Sequence, residues 1–304
     1  MCFSVFAAAS CSEALVKPGS GGAPYSVEIV GDGGNIVAGK LDMDFPCLPQ
    51  AEPMFDVTVS RLRSADKSMR LARNLIIVRI DPEKFKETSV AYELDAYARP
   101  QMVVYVNAPS KRGLAEGLSG AKLARLLNRH EMGVAVSRLR KKHNLAADSV
   151  AASMFGYSLL VGSDMVSMKR GRGFLWVSNN SPYGMVNVCV YDSENRDSVM
   201  RENIKGETDR MFMRTVAGST RKRYIVLDGN KVVETRGLWE MEGDAMGGPF
   251  VSHAFKDQST GRTLVAEAFV YAPGRSKRNL LNQGEASLYT LEKVRAKNIR
   301  GNKR

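Results

Sequence analysis

The chain has 304 residues, a length that allows either two domains or one large domain. Apolar residues make up 44% of it and charged residues 25%, which excludes a mostly disordered chain, a collagen and a disulfide-dense miniprotein. Lysine and arginine number 44 against 32 acidic residues, so the net charge is +12. After residue 12, no apolar stretch approaches the roughly 18 residues that a membrane span needs, and no transmembrane helix is predicted.

The first eleven residues resemble the end of a lipoprotein signal peptide. Cys2 to Ala9 is apolar and uncharged, and Ala8-Ala9-Ser10-Cys11 has the pattern of a lipobox, whose cysteine receives the lipid. A signal peptide normally begins with a positive region, so we expect the true start upstream of Met1. The alternative is a frayed apolar end of a cytosolic protein. The small and polar residues up to Pro24 are typical of a flexible tether and favour the signal peptide.

The first half of the chain is predicted to contain strands followed by helices. β-Branched and apolar runs predict the strands, and leucines at spacings of three and four predict the main helical region. The predicted strands are Tyr25 to Val30, Phe55 to Val59, Asn74 to Ile80 and Met102 to Val106; the helices are Gly113 to Asn144 and Ala146 to Phe155. The glycines of Gly31 to Gly34 lack dinucleotide-binding spacing and indicate a plain turn.

The second half is richer in strands. Helices are predicted over Ser193 to Ile204 and Arg275 to Lys293. The predicted strands are Ser158 to Val161, Gly173 to Val177, Val186 to Tyr191, Arg223 to Leu227, Val232 to Arg236, Phe250 to Phe255 and Thr263 to Tyr271. Several of these strands follow one another like hairpins. We therefore predict an α+β fold with mainly antiparallel sheets and packed helices.

Four segments describe the predicted organisation: a signal remnant and tether over 1–24, α+β lobes over 25–155 and 156–293, and a basic disordered tail over 294–304. A short similarity links the lobes, because Val104 to Arg112 and Val270 to Arg278 both join a strand to a helix through a Tyr- and Pro-containing turn. Two related lobes would explain it. Independent use of good turn and capping residues explains it equally well.

The densest group of functional side chains lies between Thr235 and His253, which is predicted to form a hairpin with Gly243 to Pro249 as its loop. Along its first strand, Arg236 shares a face with Glu240 and Glu242, and Trp239 lies on the other face. One hypothesis makes this loop a binding site that uses Arg236, Trp239, Asp244 and His253. The alternative is structural, with aromatic core residues, glycines in the turn and solvated charges.

Catalysis is the second functional hypothesis for the same hairpin. Asp244 or Glu242 would serve as general base, His253 as proton relay and Arg236 as anion clamp in a hydrolase. The sequence contains no nucleophile elbow, phosphate-binding loop, kinase signature or zinc-protease motif. We therefore favour a protein that is not an enzyme.

Neither a metal nor a cofactor is predicted. The three histidines are far apart, no CxxC occurs, and Cys47 and Cys189 are interpreted either as a disulfide or as two buried thiols. Basic clusters suggest a third hypothesis, binding of nucleic acid or anionic lipid, although no nucleic-acid signature is present. These clusters are Arg138 to His143, Lys169 to Arg172, Arg221 to Arg223, Arg275 to Arg278 and the tail.

Several longer segments resemble a family of uncharacterised lipoproteins from Bacteroidetes, a domain of unknown function. They are Leu15 to Pro18, Leu48 to Phe55, Arg73 to Ile76, Lys141 to Asn144, Arg236 to Trp239, Gly243 to His253, Val265 to Tyr271 and Glu285 to Leu291. The resemblance implies lipid attachment at Cys11, a two-lobed unit and an outer-membrane location facing the periplasm. It implies no reaction.

The combined expectation is a lipid-anchored protein of the cell envelope. It would bind an envelope ligand or a protein partner at a surface bordered by the Arg236–His253 hairpin and the Pro46 to Pro53 loop. Nucleic acid is an improbable partner for such a location.

Overall fold

The structure, a computed structural model, describes residues 17–60, 66–227 and 229–294. Within them the fold is α+β, as predicted, with six α-helices, a mixed five-stranded sheet and an antiparallel eight-stranded sheet. Contacts between residues divide the described chain into two compact units, 17–39 with 57–119 and 40–56 with 120–294. The predicted lipobox and nearly all of the basic tail lie outside the described residues. Over those ranges, no helix combines the length and the hydropathy that a membrane span requires.

The first unit is built on the mixed sheet, with strand order β2-β1-β3-β5-β4. Its strands are β1 (Ser26–Val30), β2 (Asp56–Val59), β3 (Asn74–Ile80), β4 (Ser89–Leu94) and β5 (Met102–Ala108). β1, β3 and β5 are parallel, and β4 is antiparallel to β5. The central strands β3 and β5 are almost continuously apolar, as expected for buried parallel strands, so this sheet departs from the antiparallel expectation.

Helices α1 (Ile36–Leu41) and α2 (Lys111–Gly117) follow β1 and β5. The Asp32 carboxylate accepts hydrogen bonds from the backbone N–H groups of Ile36, Val37 and Ala38 at 2.9–3.0 Å. This carboxylate occupies the place at the helix start where a dinucleotide phosphate would bind. The glycine-rich turn before α1 is therefore a structural turn.

The second unit is built on the eight-stranded sheet, in the order β10-β12-β13-β14-β9-β8-β7, with β11 beside β10 along the long strand β12. Its strands are β7 (Ser167–Gly171), β8 (Phe174–Ser178), β9 (Met185–Tyr191), β10 (Met213–Thr215), β11 (Arg221–Leu227), β12 (Asn230–Met241), β13 (Gly247–Lys256) and β14 (Thr263–Tyr271). The helices are α3 (Gly120–Lys141), α4 (Leu145–Phe155), α5 (Arg196–Asn203) and α6 (Arg278–Leu288). The short strands β6 (Tyr157–Ser158) and β15 (Glu292–Lys293) pair with each other.

The two faces of the eight-stranded sheet have different neighbours, because side chains alternate along a strand. One face, which we call the helix face, presents residues such as Val188, Val251 and Ala266 to α4 and α6. The other, the cleft face, buries Trp239 and Phe269 under residues of α5 and β10. The rest of that second face is open and forms the cleft described below.

Two of the predicted helices differ substantially from the observed ones, and helix α1 was not predicted. The region predicted as Gly113 to Asn144 is two helices, α2 and α3, which belong to different units. The helix predicted over Arg275 to Lys293 is limited to α6, because residues 272–277 form a turn and Glu292–Lys293 form strand β15. Strand β4 was not predicted, since all six of its residues are exposed and lack a buried apolar face.

The two similar segments, Val104 to Arg112 and Val270 to Arg278, lie in different structural environments. β5 lies in the mixed sheet and leads to α2, whose cap Ser110 accepts the N–H of Gly113 at 3.0 Å. β14 lies in the antiparallel sheet, and Glu52, from a distant loop, caps the start of α6 by accepting N–H groups of Lys277 and Arg278. Because strand pairing and capping differ, we attribute the similarity to shared turn chemistry.

Candidate functional site

The Arg236–His253 segment forms a hairpin of β12 and β13, with Arg236 opposite Val251. Gly237, Trp239 and Met241 are buried together on the cleft face, which confirms the predicted alternation. The turn is shorter than predicted, because Gly247 to Pro249 already pair with β12. Gly248 must be a glycine at this position, since a Cβ atom there would lie 2.0 Å from the Val270 carbonyl oxygen.

Trp239, one of the predicted binding residues, is a core side chain. Only 2% of its surface is exposed, its indole N–H donates to the Val270 carbonyl oxygen at 3.2 Å, and its ring contacts Phe269 edge-on. A ligand at the protein surface therefore cannot reach the Trp239 ring.

The structure does not bring His253 to either of its predicted catalytic partners. His253 is 1% exposed and lies beside Glu234, its register partner on β12, with Nε2 3.8 Å from a carboxylate oxygen. Glu242 is eight residues beyond Glu234 in the chain, which at ~3.3 Å per strand residue places it about 26 Å from Glu234. Its carboxylate pairs with Arg214. Asp244 is exposed in the turn. Strand register thus separates the histidine from both carboxylates by far more than a water-mediated relay spans.

Arg236 is the centre of a buried ionic network on the helix face. Its guanidinium donates to Glu234 at 2.9 Å and to Glu285 of α6, while Arg223 donates two hydrogen bonds to Glu234 at 2.7 and 2.8 Å. Burial raises the pKa of Glu234, but the interactions with His253, Arg223 and Arg236 outweigh it, and the pKa lies well below its usual value. Burial lowers the pKa of Arg236, and Glu285 and Glu234 more than reverse this. The Glu234 carboxylate is therefore ionised, and its charge is balanced by the two arginines.

Glu234, His253 and Glu285 together offer one candidate metal-ligand set among the described residues. One ligand atom from each lies within 4.8 Å of the others, and neither ring nitrogen of His253 has a hydrogen-bond partner there. Arg236 nevertheless bonds both carboxylates, and with Arg223 it already balances their charge. A divalent cation would have to displace Arg236 from a buried position, so the arrangement fits a structural network better than a metal site.

A cleft of about 900 Å³ lies on the opposite face of the same hairpin. Thr235 and Ser252, which are register partners on β12 and β13, point into it. Further lining comes from β11, β14, the end of β9 and the start of α5, and includes Tyr191, Arg196, Lys222, Tyr224, Lys231 and Lys256. The hairpin therefore borders a concave surface, but through side chains other than those predicted from the sequence.

A fixed triad closes the deep end of the cleft. Glu267 is fully buried; it accepts hydrogen bonds from Arg196 at 2.7 and 2.9 Å and from the Tyr191 hydroxyl at 2.9 Å. The Arg196 guanidinium also stacks 4.0 Å from the centre of the Phe250 ring. Burial, and then the charge of Glu267, raise the pKa of Tyr191 well above its usual value. Each polar group of the triad is engaged, so the triad offers neither a ready base nor a nucleophile.

Lysines surround the mouth of the cleft. Lys222, Lys231 and Lys256 are exposed, and among the described residues no carboxylate forms an ion pair with any of them. The Lys231 ammonium lies 4.2 Å from the centre of the Tyr224 ring, which is 70% exposed. This part of the surface is positively charged and carries an accessible aromatic ring.

The predicted basic clusters are divided by the secondary structure. On β11, Lys222 faces the cleft whereas Arg223 points to Glu234 on the helix face. At the start of α6, Arg278 is 3% exposed and pairs with Asp56 at 2.6 Å. Only part of these two clusters is therefore available to a ligand.

The Pro46 to Pro53 loop lies on the helix face. Leu48 packs against the core beneath α6, and Glu52 caps that helix. The loop is thus placed away from the cleft. Cys47 and Cys189 are both free thiols, the second of them buried.

Fold and site together define an α+β protein of two units with a ligand-sized cleft. Residues 20–140 match a family model described as a domain of unknown function (DUF8532), and residues 144–290 match a second one (DUF4837). The two models match adjacent parts of the chain. It is also similar to a crystal structure from Bacteroides thetaiotaomicron VPI-5482, at 15% identity over 45% of this chain and 44% of that one, with a TM-score of 0.25. No curated protein matches.

Proposed function

We propose that this chain is a non-enzymatic ligand-binding protein of the cell envelope, and that its ligand occupies the cleft of the eight-stranded sheet. The observation that supports this is the cleft lining: lysines without carboxylate partners, together with hydroxyl-bearing side chains, surround a volume of about 900 Å³. This volume is within the usual range of small-molecule sites, roughly 300–1,000 Å³.

The lack of a poised catalytic group in the cleft favours binding over turnover. The buried carboxylate Glu267 is held by Arg196 and Tyr191. Asp197, the acidic residue at the start of α5, accepts hydrogen bonds from Thr215. A general base needs a free lone pair at the reacting atom, and both oxygens of Glu267 and the Oδ1 atom of Asp197 already accept hydrogen bonds.

A thermal-shift screen of the full chain tests this function. The panel contains neutral and acidic glycans, peptidoglycan fragments, lipid A, phospholipids, nucleotides and oligonucleotides. A ligand at 100 times its Kd stabilises the fold by about 2.7 kcal/mol, which is a measurable shift of the midpoint. We expect Lys256→Glu, at the cleft mouth, to abolish the shift.

The matched control is Lys142→Glu, an equally exposed lysine next to α3 that does not line the cleft. Silence of the wild-type chain across the panel would contradict the proposal. So would equal losses in the two variants, because they would place binding outside the cleft.

Lipid attachment at Cys11, with the protein on the outer membrane facing the periplasm, belongs to the same proposal. Its support is the Ala8-Ala9-Ser10-Cys11 pattern together with the tether that follows. The chain expressed in a bacterium with labelled palmitate should incorporate label. The Cys11→Ala variant should lose it and the Cys47→Ala variant should keep it. An unlabelled wild-type chain in the soluble fraction would overturn the anchor without affecting the cleft.

A further inference from the structure

The cleft face of β11–β14 is organised in rows of side chains that run across the strands. In one row, Lys222 pairs with Thr235 and Thr235 with Ser252. Neighbouring strands are about 4.8 Å apart, so this row presents an ammonium and two hydroxyl groups over roughly 10 Å. The row is a line of hydrogen-bond donors.

The next row is apolar and has a tyrosine at each end. Its members are consecutive register partners: Tyr224, Val233, Ala254, Val265 and Tyr191. Only small or branched side chains lie between the tyrosines, so they leave a shallow strip. The exposed Tyr224 ring projects above its outer end.

A second polar row follows on the far side of the strip. The pairing of β12 with β13 ends at Val233 and Ala254, and Lys231 and Lys256 lie two residues beyond this pair on their strands, where both line the cleft. Glu194, an acid that also lines the cleft, is exposed and accepts a hydrogen bond from Thr263. A bound anion would offset the positive charge of the two lysines.

Building on the proposed function, we infer that the ligand is an acidic saccharide, a chain of sugar rings that bear carboxylate or sulfate groups. A sugar ring has an apolar C–H face and a rim of hydroxyls. The apolar strip with Tyr224 fits the former, and Thr235 and Ser252 fit the latter. Carboxylates or sulfates on the rings would pair with the lysines of both polar rows.

A saccharide fits the cleft better than a single-stranded nucleic acid does. Non-specific nucleic-acid grooves stack successive bases on several aromatic side chains. Here one tyrosine, Tyr224, is exposed in the strip, and the other, Tyr191, is buried with its hydroxyl bound to Glu267.

Isothermal titration of the full chain with five probes tests this inference: heparin, polygalacturonate, dextran sulfate, neutral dextran and oligo(dT). Polygalacturonate carries only carboxylates, dextran sulfate only sulfates and heparin both, so these three probes separate the two acid types. We expect at least one acidic polysaccharide to bind, with affinity that falls as salt rises, and neutral dextran not to bind. Lys231→Glu should weaken that binding by about tenfold or more, whereas Lys142→Glu should leave it unchanged.

Tyr224→Ala separates ring stacking from simple charge attraction, and Tyr183→Ala is its matched control. Tyr183 is 71% exposed and also lies under a cation, with Arg275 5.1 Å from its ring centre, but it does not line the cleft. We expect only Tyr224→Ala to weaken saccharide binding, by about fivefold or more, equivalent to ~1 kcal/mol.

Four results would overturn the inference. Oligo(dT) that binds as tightly as the acidic polysaccharides, with the same variant pattern, would indicate a general polyanion or nucleic-acid surface. Neutral dextran that binds as well as dextran sulfate would remove charge from recognition. A third result is that no saccharide binds, while another ligand of the thermal-shift panel binds the wild type and not Lys256→Glu. The assignment of a saccharide would then be wrong, and the proposed binding function of the cleft would stand. If nothing in either experiment binds, both fail.

Discussion

Replacement of Arg236 by methionine tests whether the buried ionic network holds the second unit together. Arg236 is 11% exposed in its side chain and neutralises Glu285, which is itself buried at 3%. Removal of one partner from a buried ion pair leaves an uncompensated charge and costs about 3–5 kcal/mol. Since ~1 kcal/mol corresponds to ~2–4 °C for units of this size, the melting midpoint should fall by roughly 6–20 °C.

Arg214→Met is the matched control. Arg214 is also an arginine that bridges two carboxylates, Glu240 and Glu242, but its side chain is 49% exposed. An exposed pair contributes about 0–1 kcal/mol, so this variant should melt close to the wild type. Both tryptophans, Trp176 and Trp239, lie in the eight-stranded sheet, so urea unfolding followed by fluorescence reports on the unit that contains the network.

The double variant Arg236→Met/Glu285→Gln provides the second test. It removes the carboxylate that the single change leaves unpaired, so it should recover part of the loss, with a coupling of roughly 0.5–3 kcal/mol. The reasoning is refuted if Arg236→Met costs no more than Arg214→Met. It is equally refuted if the two changes in the double variant are simply additive.

Three further predictions concern pH, packing and thiol chemistry. The pKa of Glu234 in the folded protein lies below its unfolded value of ~4.3, so its contribution to stability is present above that pH and is lost as the pH falls. In urea unfolding at several pH values, the free energy of unfolding should therefore decrease less on acidification in Glu234→Gln than in the wild type. Gly248→Ala should cost about 1–3 kcal/mol, because its Cβ would meet a backbone carbonyl, whereas Gly133→Ala, in an open helical position, should be neutral or stabilising in the same assay. A thiol reagent mapped by mass spectrometry should modify Cys47 before Cys189, whose pKa is raised mainly by burial; equal rates would contradict this.

Local patterns in the sequence were sufficient to predict the hairpin and its two faces. The alternation of Gly237, Trp239 and Met241 depends only on the period of a strand. The partners of Arg236 and His253 could not be predicted in the same way. Glu234 faces His253 through strand register, and Glu285 reaches Arg236 through the packing of α6, a contact between residues 49 positions apart.

The cleft was missed for a related reason. Its lining comes from six segments between Tyr191 and Val265, and no one of them looks like a site by itself. The available signal was on β11, where Lys222 and Tyr224 are two residues apart and therefore share a face. Grouping Arg221 to Arg223 as one basic cluster concealed it, because neighbours on a strand point in opposite directions.

The ionic network and the cleft share strands β11 and β12 and lie on opposite faces of them. Arg223 of β11 and Arg236 of β12 both bind Glu234, and Arg236 also binds Glu285 of α6, so the network joins the edge strand to the sheet and to the helix behind it. Lys222 and Thr235 alternate along these strands with the arginines and glutamates of the network, and they therefore point to the cleft face. Edge strands are the most easily displaced part of a sheet. If the cleft binds a ligand as we propose, the network would hold these ammonium and hydroxyl groups in place beforehand and so lower the entropy cost of binding.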